Sequence, residues 1–450
     1  MRARGQGLVA LTITAAVIAT GLALDRTVGA RPLSAPAVVD VPTGVWICPH
    51  GGGDGWRAVV YLANPGEEPV AARVTTLDRG GSAPARDVDV PPAATVAVDV
   101  PATSTEAAAF VEYFGGWLAV GWVTSSGSAA EPSAGAEPCA GGGGSVWYLA
   151  DGSADEGQST DVVITNPFGV DAVVDLVLLA KDRAPIRDTA LSSVVVRAGR
   201  SRAIRLSPFV AGERAIGTIV TARVGRVAAA TTVRVRGAGV RQLLGQPSLA
   251  AELILPFAGG TGQSELEVLR AGDTPTPFDA TLLSTAAPGP AGDLVDQVAD
   301  ATSAVTFPII SDGPAAVHVV TQGEASIAAG LRVVGPHEGG VVGWASAATG
   351  WVVTPSVVGQ PAVPGLVIVN TGDEEATVVL RSLGLDGIAG ETTLVVPGAS
   401  VTTAPPTFLG QGDSAVLVRS DRPIVAAGGS TSSGKLGSAA FALSLGIPVP

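Results

Sequence analysis

The 450-residue sequence predicts an all-β fold of four tandem immunoglobulin-like β-sandwich repeats behind an N-terminal apolar helix. Three observations carry this expectation. Apolar runs are short and alternate with polar residues at every second position, as in Asp87-Val88-Asp89-Val90 and Val96-Ala97-Val98-Asp99-Val100. Turn residues punctuate those runs, drawing on 59 Gly and 33 Pro. One phrase also recurs: a Trp-led strand, a Gly-rich loop, then an apolar strand ending in a polar turn. It opens at Trp46-Ile47-Cys48-Pro49, Trp147-Tyr148-Leu149-Ala150, Leu253-Ile254-Leu255-Pro256 and Trp351-Val352-Val353-Thr354-Pro355. Its turns are Asn64-Pro65-Gly66, Asn166-Pro167-Phe168-Gly169, Arg270-Ala271-Gly272-Asp273 and Asn370-Thr371-Gly372-Asp373. Positions 64, 166, 270 and 370 lie 102, 104 and 100 residues apart. A period that long repeats a whole domain and not a solenoid unit. Seven or so strands per period read as an antiparallel sandwich. The alternative is a closed propeller-like ring, with the strand at 441–447 returning to the first repeat.

In chain order, Arg2 and Arg4 precede an uncharged run over residues 7–24, closed by Asp25-Arg26. As a helix this run spans roughly 27 Å, close to the ~30 Å hydrocarbon core of a bilayer. Residues 1–24 are therefore expected to form a cytoplasmic tip and a transmembrane or signal helix. The chain would cross the membrane once through 7–24, with its C-terminal region outside. Val28-Gly29-Ala30 offers the alternative of a secreted chain cleaved near Ala30. Residues 25–44 read as a Pro/Ala/Val-rich spacer. Repeat 1 is placed at 45–140, repeat 2 at 145–237, repeat 3 at 250–335 and repeat 4 at 344–450. Strands are expected at 58–63, 70–77, 86–90, 95–100, 107–113 and 118–124 in repeat 1. In repeat 2 they are expected at 160–165, 172–179, 193–196, 202–206, 217–223 and 226–235. Repeat 4 reads as 365–369, 376–382, 391–396, 400–403, 414–419 and 423–427. Repeat 3 diverges, with a loop at 286–292 and neither Trp nor Asn at its landmarks.

Cys48 and Cys139 are the two cysteines, and an exported chain favours their pairing. The bridge would staple repeat 1 where its chain comes in and leaves. A formal net charge of −13 argues against nucleic acid, whose phosphates require a basic surface. Catalytic chemistry finds little support. His50, His318 and His337 fall in different repeats without ligand spacing, and neither His-Glu-x-x-His nor Gly-x-Ser-x-Gly occurs. Gly429-Ser430-Thr431-Ser432-Ser433-Gly434-Lys435 has P-loop spacing, yet Leu436 stands where Mg²⁺ needs a hydroxyl. No catalytic, cofactor-binding or metal-binding residues are assigned. Asp151, Asp155 and Glu156 crowd one Trp-to-Asn loop with oxygen ligands suited to Ca²⁺, without EF-hand spacing. Trp56, Trp117 and Trp122 give repeat 1 extra aromatic faces of the kind that stack on sugars. These six residues are the candidate binding surface.

Trp147-Tyr148-Leu149-Ala150-Asp151-Gly152-Ser153, Asn166-Pro167-Phe168-Gly169 and Ser420-Asp421-Arg422-Pro423-Ile424-Val425-Ala426 resemble an uncharacterised actinobacterial family of exported or membrane-anchored β-repeat proteins. That family opens its repeats on Trp-Tyr-Phe-Ala-Glu-Gly and closes them on Ser-Asp-Arg-Pro-Val-Val-Ala. The similarity covers most of 45–447 and implies location and fold, with no activity. The leading expectation is a non-enzymatic, extracytoplasmic cell-envelope protein with a structural, adhesive or partner-binding role, meeting envelope polysaccharide or membrane proteins. An accessory subunit of a membrane-bound envelope glycan-assembly enzyme is the alternative. A glycoside hydrolase with an unfamiliar carboxylate pair ranks behind both.

Overall fold

The computed structural model describes residues 42–126, 134–237, 239–257, 262–285, 289–290, 294–311, 313–323, 325–334, 339–356, 362–405, 408, 414–433 and 439–449. The apolar run 7–24, the cleavage site near Ala30, the loop core 286–288 and 291–292, and His337 lie outside them. No helix among the described residues is long and apolar enough to cross a membrane. The described chain from Pro42 onward is one compact unit of antiparallel sheets.

The first segment shows the pattern. Its strands are β1 (Gly44–Cys48), β2 (Trp56–Asn64), β3 (Val70–Leu77), β4 (Arg86–Val90), β5 (Ala94–Pro101), β6 (Ala108–Phe114), β7 (Ala119–Ser126) and β8 (Ala134–Pro138). They form two sheets, ordered β1-β6-β3-β4 and β5-β2-β7-β8. The second segment has β9 (Val146–Leu149), β10 (Gln158–Asn166), β11 (Ala172–Leu179), β12 (Val194–Val196), β13 (Arg200–Arg205), β14 (Gly217–Val224), β15 (Ala228–Val235) and β16 (Gly239–Leu244). The same order recurs as β9-β14-β11-β12 and β13-β10-β15-β16.

The third segment comprises β17 (Glu252–Phe257), β18 (Gly262–Arg270), β19 (Thr276–Ser284), β20 (Gly289–Pro290), β21 (Gln297–Ala299), β22 (Ser303–Ser311), β23 (Ala315–Thr321), β24 (Ala328–Val334) and β25 (Gly339–Val342). Its sheets run β17-β23-β19-β20, with β21 also on β19, and β22-β18-β24-β25. The last stretch holds β26 (Ala348–Val353), β27 (Ala362–Asn370), β28 (Ala376–Leu383), β29 (Ile388–Val396), β30 (Ser400–Thr403), β31 (Ala415–Ser433), β32 (Ala439–Leu445) and β33 (Ile447–Pro448). Here β31 is continuous: its first part pairs β26 and β28, its second part β27 and β32. The strands expected separately at 414–419 and 423–427 are thus one strand that changes sheets.

That change of sheet departs from immunoglobulin order, in which strands F and G, the counterparts of the two halves of β31, are neighbours in one sheet. In the first segment Gly115-Gly116-Trp117-Leu118 carries the chain from β6 in one sheet to β7 in the other. The connection steps from one sheet to the other, with Gly115 and Gly116 exposed, instead of folding back as a hairpin. As a result β7 pairs β2, and β1 pairs β6.

Burial patterns explain which strands alternate. On β3 and β11 every second residue is buried, because one face meets water. By contrast β2 and β10 are buried at seven consecutive positions each. One face of their sheet packs on the partner sheet and the other on a neighbouring segment. No sheet closes on itself, but the last strand of each segment lies beside the next in a cycle: β8 by β16, β16 by β25, β25 by β32 and β32 by β8. Hydrogen bonds cross these junctions. Thr124 Oγ1 meets Gln242 Oε1 at 2.7 Å, and Gln246 Nε2 donates to the Gly343 carbonyl at 2.8 Å. Between the last stretch and the first segment, Thr95 Oγ1 donates to the Leu383 carbonyl at 2.7 Å.

The landmark residues hold each segment together in matching ways. Trp46, Trp147 and Trp351 each donate Nε1–H across the core, to the carbonyls of Leu118, Val227 and Ile424 at 2.7, 2.7 and 2.8 Å. Asn64 Nδ2 serves the carbonyls of Glu68, Val90 and Pro91, and Asn370 Nδ2 those of Glu374, Val396 and Pro397. Asn166 does the same for Val170 and Val196. In the third segment Arg270 replaces the amide and reaches the carbonyls of Thr274 and Ser326. A buried turn carbonyl left unpaired costs about 1–3 kcal/mol, which accounts for a fixed donor here.

Candidate functional site

After its last strand, each segment returns to its own first strand. Ala140 bridges to Ile47, Gln246 to Tyr148 and Trp344 to Ile254, while β33 pairs Val352 with Ile447. Four exit segments therefore converge at one end of the cycle of strands. Between them lies a cavity of about 680 Å³, within the range of about 300–1,000 Å³ usual for small-ligand pockets. Its walls are Pro138 to Gly144, Leu244 to Ser248, Val342 to Ser346 and Gly446 to Val449, with Trp46, Trp117 and Trp147. None of the described lining residues is ionisable. Trp46 and Trp117 meet edge to face at 6.4 Å, as Trp344 and Trp351 do at 5.8 Å. Such a wall suits an apolar or aromatic group, because every contact replaces water and no charge needs solvating.

Close packing shapes the return. A side chain at Gly245 would meet Leu149 and the Ala229 carbonyl at 2.6 and 2.9 Å, and one at Gly446 would meet the Ala426 carbonyl at 2.6 Å. By register Cys139 takes the same slot in the first segment. It fits there because it is bonded to Cys48, with the two Cα atoms 4.5 Å apart. The expected disulfide is present and staples the first segment where its chain comes in and leaves.

A second feature is a buried ionisable cluster on the inner strands. Arg241 of β16 grips Asp151 with two bonds of 3.1 Å, both side chains being almost wholly buried. Arg332 of β24 and Arg214 share Glu265. Glu137 on β8 and Glu267 on β18 are fully buried; their carboxyl oxygens make no hydrogen bond of good geometry among the described residues, and the backbones of Leu244 and Gly152 offset their burial only in part. Burial pushes Glu137 well above the usual carboxylate range, with Asp151 adding to it. Burial likewise pushes Glu267 up to about 8 against the pull of Arg332. His50 is buried beside Trp122, and loss of solvent holds it down to about 3. None of these groups lines the axial cavity.

The six residues singled out from sequence do not gather. Trp117 lines the axial cavity. Trp56 lies opposite Ser126 at the far end of the β2–β7 pair, roughly 20 Å or more away along the strand, under the Arg234 guanidinium at 5.1 Å. Trp122 is in the core at 0% exposure, so it presents no surface. Asp151 is committed to Arg241, whereas Glu156 is exposed and Asp155 accepts from the Glu156 N–H. Of the histidines, His318 bonds Glu252 at 2.8 Å. Glu137, Arg241, Glu267, Trp147 and Trp344 were not singled out. The signal available for Glu137 and Arg241 was a charge inside a run with no polar alternation, whereas Glu267 alternates with Leu266 and Val268 and reads as an ordinary solvent-facing charge.

These features define an all-β, disulfide-bonded protein of sandwich-like sheets around an apolar axial cavity. A family model described as a family of unknown function (DUF5719) matches residues 111–350, more than half of the chain, and the chain belongs to that family. The match runs from β6 into β26 and so includes three of the four exit segments. No curated protein matches the chain.

Proposed function

We propose that this chain is a non-enzymatic, extracytoplasmic cell-envelope protein in which four copies of one sandwich close a ring whose axial cavity binds an apolar part of an envelope partner. The observation that carries this reading is the cavity itself: equivalent exits of all four segments build it, tryptophans line it, and its described lining bears no ionisable group. Location rests on two supports. Arg2 and Arg4 precede the apolar run 7–24, and Cys48–Cys139 belongs to an oxidising compartment. The residues of the buried cluster lie outside the cavity wall, which favours binding over acid–base chemistry.

Photo-crosslinking in cells tests the reading. A benzophenone amino acid at position 344 is expected to give an adduct with an envelope component, and the same group at the exposed position 385 is not. Absence of an adduct from 344, or equal adducts from both sites, would overturn the cavity as the binding site. Failure of protease added to intact cells to cut the β-rich region would overturn the location.

A further inference from the structure

Beside the axial cavity, and sharing Gly144, Pro247 and Ser248 with it, lies a second cavity of about 640 Å³. Its wall differs in kind. It holds Ser145, Tyr148, Ser248 and Ser326, whose side chains carry hydroxyls, and the guanidinium-bearing Arg270. Arg270 is the residue that stands where the other segments have Asn. It is only 9% exposed. Its Nε donates to the Thr274 carbonyl at 3.1 Å, its NH1 to the Ser326 carbonyl at 2.8 Å and its NH2 to Thr274 Oγ1 at 3.4 Å. Those partners are neutral. Among the described residues no carboxylate lies within ion-pair distance of Arg270, and the lining of neither cavity includes an acidic side chain.

A buried guanidinium without a counter-charge is costly, since burial removes solvation that only an anion restores fully. The turn does not require that charge, because Asn64, Asn166 and Asn370 complete equivalent turns without it. A planar guanidinium retains donors beyond those three bonds and suits carboxylate or phosphate oxygens. From this adjacency of an apolar cavity and a cationic one along a shared wall, resting on the axial cavity as the binding site, we infer that the two together take an amphipathic anion. Its apolar body lies among Trp46, Trp117, Trp147 and Trp344, and its anionic head lies against Arg270.

Binding of matched octyl compounds to the purified full-length chain, at concentrations well below micelle formation, tests this. Octyl phosphate or octanoate is expected to bind at least tenfold more tightly than octyl glucoside, and octyltrimethylammonium more weakly than either anion. The tighter anion identifies the head group. Arg270→Asn restores the amide found in the other turns, so it removes the charge and keeps the cap. It is expected to abolish the anionic advantage and leave octyl glucoside affinity unchanged. Ser248→Glu, at an exposed position on the shared wall, places a carboxylate beside the head-group site and is expected to weaken the octyl anions more than octyl glucoside. Equal affinities across the series, an advantage that survives Arg270→Asn, or inorganic phosphate binding as tightly as octyl phosphate would overturn the inference. If octyl glucoside binds and the anions show no advantage, this inference alone fails. If no octyl compound binds, the axial-cavity reading fails with it.

Discussion

Glu267→Gln isolates the energetic consequence of the buried cluster. The Glu267 carboxyl is fully buried on β18 without a hydrogen bond of good geometry among the described residues, and burial pushes it up from 4.5 to about 8. Between those values the folded chain holds a proton that the unfolded chain has released. The stabilisation is therefore complete below pH 4.5 and is lost as pH rises through 8. At about 1.36 kcal/mol per unit, the loss by pH 7 is roughly 3 kcal/mol. Glutamine keeps the shape and has no proton to lose, so the variant should exceed wild type by about 2–3 kcal/mol at pH 7. His50 acts in the opposite sense. Held down to about 3, it contributes fully above 6.5, and its contribution is lost as pH falls toward 3. His50 is present in both wild type and variant, so its contribution cancels in the difference between them, and the difference in slope between pH 6.5 and 8 belongs to Glu267. Urea unfolding at pH 6.5, 7.25 and 8 should show wild type losing stability faster than the variant, by about one proton's worth of slope. Parallel curves, or a variant less stable than wild type at pH 8, would refute the reasoning.

Two further outcomes are expected. Asn370→Ala removes the donor for the carbonyls of Glu374, Val396 and Pro397, and should lower stability by about 2–3 kcal/mol in chemical denaturation; a loss under 0.5 kcal/mol would mean water replaces the amide freely. Cys48→Ser with Cys139→Ser opens a loop with a sequence separation of 91 and should cost about 4–5 kcal/mol by loop entropy. Non-reducing peptide mapping of the wild-type chain should recover the two cysteines as one linked pair, and two free-thiol peptides would contradict the bridge.

The parts of the fold legible in sequence were those where local chemistry repeats. Asn64, Asn166 and Asn370 stood out because the turns need an amide donor, and β3 and β11 because one face meets water. The inner strands β8 and β16 left no such trace. Ala-Gly-Ala-Glu-Pro and Gly-Val-Arg-Gln-Leu-Leu lack period-two alternation because neighbouring segments cover both faces. The axial cavity was illegible for a related reason: its walls come from four exits about 100 residues apart in the chain. Trp344 gave no signal of its own, since it opens the expected fourth repeat seven residues ahead of the Trp351 landmark.

At registered positions the segments are alike in some places and different in others. Turn donors stay nearly constant, as do the small residues at Cys139, Gly245, Gly343 and Gly446, where packing leaves little choice. Residues near the axis differ sharply. Three positions after the bridged residues of the first strands stand His50, Asp151, Phe257 and Pro355, and five before the exit bridges stand Gly135, Arg241, Gly339 and Ala442. Only the second segment forms an ion pair from that combination. A uniform ring would place four equal walls around its axis and four equivalent turns beside it. This chain instead carries Arg270 at one turn and a buried charge cluster among three segments. On the inference above, an amphipathic anion that reaches from the axial cavity into the neighbouring one would meet its cation only at Arg270, and that asymmetry would give it a single orientation.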